Sequence, residues 1–118
     1  MNNESTITIC GREVKVRYCA AAETTFEKLS DKSISDIDFH AQNDIFRLSY
    51  GAMLAAYLRE GSDVPLTVTE ILTDATSAEL VALYKTVLEL RAAWYALPSV
   101  VKPDKDEEDE ERKKKKNA

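Results

Sequence analysis

Between Thr76 and Pro98 the chain carries more apolar surface than one face of a helix needs. Thr76-Ser77-Ala78-Glu79 reads as a capping box. In that motif a threonine hydroxyl accepts from the third residue's N–H while the glutamate reaches back. It opens a helix expected over 77–97, which Pro98 stops. Leu80, Leu83, Val87, Leu90, Trp94 and Leu97 recur at intervals of three and four residues. Val81, Tyr84, Leu88, Arg91 and Tyr95 make a parallel second stripe. At about 100° per residue the two stripes span about 200° of the helix, against about 100° for an ordinary surface helix.

Two readings of that excess stay open. The helix can be wedged between layers of its own protein, with Arg91 snorkelling out. Alternatively, one stripe is offered to another polypeptide. On the second reading the partner-binding candidates are Tyr84, Arg91, Trp94, Tyr95 and Leu97, extended past Pro98 by Val100 and Val101. Trp94 and Tyr95 are the strongest anchors, because large aromatics dominate interface energies. Arg91, flanked by tyrosines, is placed to stack on a ring or pair with an acid.

Upstream, Thr6 to Cys10 alternates, Gly11-Arg12 follows, and Glu13 to Tyr18 alternates again. The pattern predicts a hairpin over 6–18. Glycine first in a two-residue loop suits a type II′ turn, which sets Ile9 opposite Val14 and Ile7 opposite Val16. Ile7, Ile9, Val14 and Val16 then share one face. In that register Cys10 and Cys19 lie far apart, and both are expected to be reduced.

Helices are predicted over about 20–29, 42–60 and 67–73. Ala22, Phe26 and Leu29 line one side of the first. The second is apolar almost all round, as a helix buried on most sides is. Its Ser49, Ala52 and Ala56 form a small-residue stripe, and Gly61 follows where a left-handed residue closes a helix. Thr67-Val68-Thr69-Glu70 is a second capping box. The fold class expected is α+β: an N-terminal β-hairpin, then a mainly α-helical body of about four helices, as one domain over 1–101.

Residues 102–118 differ in kind. They hold seven basic and seven acidic side chains, so the net charge of −5 rests on residues 1–101. Such a run has nothing to bury and reads as a disordered charged tail. An acidic body argues against a general nucleic-acid binder, which displaces counterions with a basic face. Were the lysine cluster to bind nucleic acid, binding would fall steeply with salt and vanish without Arg112–Lys116.

Met1-Asn2-Asn3-Glu4 starts with no basic run and no apolar stretch, so no secretory signal is expected. The run Leu48 to Leu58 is too short for a bilayer that needs about 20 residues. Two cysteines without a signal suggest a reducing, cytoplasmic setting. His40 is the only histidine, and no Cys-x-x-Cys accompanies it. Gly11, Gly51 and Gly61 are isolated, so no phosphate loop is present. Asp36 and Asp38 sit in Ser35-Asp36-Ile37-Asp38 as turn or cap residues. The expectation is a protein that is not an enzyme, takes no cofactor, metal or small-molecule substrate, and does not enter membranes.

The layout Ile7, Ile9, Gly11, Glu13, Val16, then Phe26 and Leu29, then Asp31-Lys32-Ser33-Ile34, precedes a long alanine- and aromatic-rich helix and a final amphipathic one. It resembles the tail assembly chaperones of long-tailed bacteriophages and prophages over about residues 5–100. The resemblance implies a non-catalytic protein of the bacterial cytoplasm. Such a protein coats the hydrophobic tape measure protein, keeps it soluble and supports tail tube assembly. It also implies that the codons for Lys113 to Asn117 could hold a frameshift site leading to a longer product. A small cytosolic adaptor that binds another helical protein through the same helix is the alternative. A homo-oligomer stays open under both.

Overall fold

A computed structural model describes residues 3–97. An antiparallel hairpin of β1 (Glu4–Ile9) and β2 (Arg12–Arg17) leads into α1 (Ala20–Ser30), α2 (Gln42–Leu58), α3 (Val68–Asp74) and α4 (Ser77–Ala96). A single 3-10 turn, Ile34–Asp36, lies between α1 and α2. The fold is α+β. Pro98, Val100, Val101 and the charged run 102–118 lie outside the described residues.

The hairpin corrects the expected register. Ile7 faces Val14 and Ile9 faces Arg12, so Cys10 and Gly11 form the turn. Their φ angles are +54° and +74°. Two positive φ values define a type I′ turn, whose twist matches the strands and which takes glycine at its second position. The pairing slips by two residues, so each side chain keeps its face. Ile9, Val14 and Val16 are fully buried, and Ile7 packs against them. Distant contacts hold this turn. Arg12 Nη1 donates to the Pro65 carbonyl at 2.8 Å, and Cys10 Sγ donates to the Glu70 carbonyl at 3.7 Å. Cys10 and Cys19 are free thiols.

Helix α2 is the central strut. Leu48, Ala52 and Met53 are fully buried, and Ser49 is buried with them. It packs mainly on α1 and on β2. The close approach to α1 falls at Gly51, where a Cβ would stand 2.6 Å from the Ala22 carbonyl oxygen. Helix α2 ends at Leu58, two residues before the expected boundary, and Gly61 at φ +69° turns the chain away. Asp44 is a buried acid in its first turn. It accepts from Lys32 Nζ at 2.7 Å and from the Asp38 N–H at 2.9 Å. The Lys32 hydrogen bond, followed by the Asp38 N–H, holds its carboxyl below the usual range.

Both capping boxes form, at Thr67–Glu70 and Thr76–Glu79. Glu79 does more than cap. Its carboxyl is held below the ordinary glutamate value first by the Thr76 N–H and then by the Cys10 N–H, with Gly11 adding to them. The start of α4 is thereby tied to the tip of the hairpin, and α4 runs across the hairpin and α2.

Candidate protein-binding surface

Leu83 and Val87 of the first α4 stripe are fully buried, so that stripe faces the core. Leu80, Leu88, Leu90 and Trp94 are half-buried against it. The second stripe is only partly covered. Val81 is 61% exposed and Tyr95 53% exposed. The helix is therefore not wedged between two layers among the described residues.

Three of the expected site residues come together at the C-terminal end of α4. Glu23 Oε2 accepts from the Tyr18 hydroxyl at 2.7 Å and also from the Tyr95 hydroxyl. Arg91 Nε lies 3.9 Å from the same oxygen, an ion pair rather than a hydrogen bond. The Arg91 guanidinium sits 4.6 Å from the Tyr95 ring centre and 4.9 Å from that of Phe39. Trp94 packs on Tyr18 at 5.5 Å and edge-on to Tyr95 at 5.0 Å. Burial raises the Tyr18 pKa, and donation to the Glu23 carboxylate raises it further. For Tyr95 the Glu23 hydrogen bond is the larger cause and burial the smaller.

Arg91 thus does both things its flanking suggested, stacking on rings and pairing with an acid, but within its own chain. The cluster binds α4 to the start of α1 and the end of β2. Of the expected partner-binding residues, Tyr95 and Leu97 present the most open surface. Trp94 is half-buried. Tyr84 stands two turns away, half-buried, with burial raising its pKa and the Gln42 side chain opposing the shift. Val100 and Val101 lie outside the described residues.

A second surface escaped the sequence reading. Leu29, grouped there with Ala22 and Phe26 on one side of α1, is 48% exposed although those two are fully buried. It forms one wall of a groove of about 470 Å³. Phe46 and Tyr50, half-buried on α2 and stacked at 6.3 Å and 14°, line it from α2. Val68 and Leu72 of α3 make the other wall, with Gln42, Asn43 and Arg47 completing the lining. The available signal was two apolar pairs at i, i+4, Phe46/Tyr50 and Val68/Leu72. Nothing in the spacing said that Leu29 would join them.

Among the described residues no group of three or more His, Cys, Asp and Glu could hold a metal ion. No described helix is long and apolar enough to cross a membrane. His40 lies exposed in the loop before α2, its N–H donating to Asp38 Oδ1 at 2.9 Å.

No family model matches the chain, nor does any curated protein or solved structure.

Proposed function

We propose that this chain is a tail assembly chaperone of a long-tailed phage or prophage. It works in the bacterial cytoplasm, binds apolar helical segments of the tape measure protein and keeps them soluble until the tail tube assembles around them. The single observation that supports this reading is the apolar surface left over once the core is complete. Val81, Tyr95 and Leu72 stay more than half exposed on a body that carries the net charge of −5. Large exposed apolar side chains on helices are what a client helix docks on. The acidic body keeps a protein with such a surface in solution. Tyr95 at the end of α4 and Leu97 just after it are the client contacts.

The test is co-expression with the tape measure protein encoded beside it. The client is expected in the soluble fraction only when this chain is present, and to co-purify with it. A client equally soluble or equally insoluble with and without the chain overturns the reading.

A further inference from the structure

The groove between α1, α2 and α3 has a charge pattern unlike the rest of the body. No acid lines it, although the chain as a whole carries −5. Its one charged lining residue is Arg47, half-buried on α2. Arg47 makes no ion pair or side-chain hydrogen bond with another described residue. Asp44, whose carboxyl feels its charge, is already committed to Lys32 and the Asp38 N–H. Around that cation the lining is apolar: the stacked rings of Phe46 and Tyr50, with Leu29, Val68 and Leu72.

We propose that this groove seats one amphipathic helix of another protein, bearing a carboxylate that pairs with Arg47. The inference rests on the chaperone reading and adds a second client contact, apart from the end of α4, together with its charge. An acid-free lining around Arg47 favours a partner that brings its own carboxylate. A concentration-dependent dimer that blocks the binding of helical peptides would assign the groove to a second copy and overturn the proposal. Asn43 to Tyr50 covers eight residues and a rise of about 10 Å, which is two helical turns. A client with apolar anchors at i, i+4 and i+7 matches that length. Its carboxylate would gain a half-buried, charge-assisted partner that water competes with poorly. Gln42 lines the groove and also neighbours Tyr84, so a helix leaving at that end runs toward α4.

Two synthetic amphipathic helices of about 18 residues, long enough to be helical in water, test this with the full chain. They share leucines at i, i+4 and i+7 and differ in one flanking residue, Glu in one and Lys in the other. The Glu peptide is expected to bind about tenfold more tightly. Amide shifts should move at Leu29, Phe46, Tyr50 and Leu72. Arg47→Glu should reverse the preference, and Leu72→Glu should weaken both peptides. Equal affinities, no binding of either peptide, or shifts confined to α4 overturn the proposal. If a chain carrying both substitutions still keeps the tape measure protein soluble, the groove assignment fails while the chaperone reading stands. If the unaltered chain fails to keep it soluble, the chaperone reading itself fails.

Discussion

Gly51 shows how one missing methyl group sets a helix distance. The oxygen that a Cβ would meet belongs to the backbone of Ala22 and cannot swing aside. Gly51→Ala should therefore lower stability by about 1–3 kcal/mol, despite the better helix propensity of alanine. A denaturation midpoint that falls with an unchanged slope checks this. Asp44 supplies a pH signature. Its folded pKa is lowered, so its contribution is fully present above the unfolded value of about 4 and is lost as pH falls through the folded value. Glu70 and Glu79 are lowered too and act with the same sign, each held down first by the N–H of its capping threonine. Stability should hold between about pH 5 and 7 and drop below about pH 4. Asp44→Asn should flatten part of that drop in denaturation curves recorded across pH.

At the scale of elements, α4 is held at both ends by polar contacts and in the middle by Leu83 and Val87. Thr76→Ala removes the cap and should cost about 1 kcal/mol. Glu79→Ala instead removes the acceptor of the Cys10 and Gly11 N–H groups, so the hairpin tip should exchange its amide hydrogens faster. At the other end, Glu23→Ala leaves the buried Tyr18 hydroxyl without its acceptor, a loss of about 1–3 kcal/mol. Trp94 is the only tryptophan and packs on Tyr18 and Tyr95. Its emission should therefore shift to the red in that variant before global unfolding. An unchanged spectrum would mean that the end of α4 does not depend on Glu23.

Over the whole molecule, a closed core coexists with apolar side chains that contribute nothing to it. Leu72 is 60% exposed, and replacing it should change stability by no more than about 0.5 kcal/mol. Leu72→Glu should nevertheless reduce client capture in co-expression, because the charge enters the groove wall. Equal loss of stability and capture would mean that Leu72 serves the fold. Trp94 behaves oppositely: as a half-buried ring against Tyr18 it couples the fold to any surface at the end of α4. Leu97, 39% exposed, separates the two effects better, since Tyr95 also donates to Glu23 and packs on Trp94.

Legibility in the sequence followed the range of the interaction. Both capping boxes, the helix spans and the buried face of the hairpin were readable, because each depends on residues within about four positions or on a simple period. The inward stripe of α4 was visible as a pattern, although its choice over the second stripe was not. The turn type was missed because Arg12 meets Pro65 and Glu79 meets Cys10 and Gly11, partners more than fifty residues away that no local rule weighs. The Glu23 cluster joins residues 18, 23, 91 and 95, and the groove joins residues 29, 46, 50 and 72. Local chemistry settled which segments coil and which sides are greasy. Which greasy sides meet, and which are left facing water, followed from how the packed helices and hairpin share limited space.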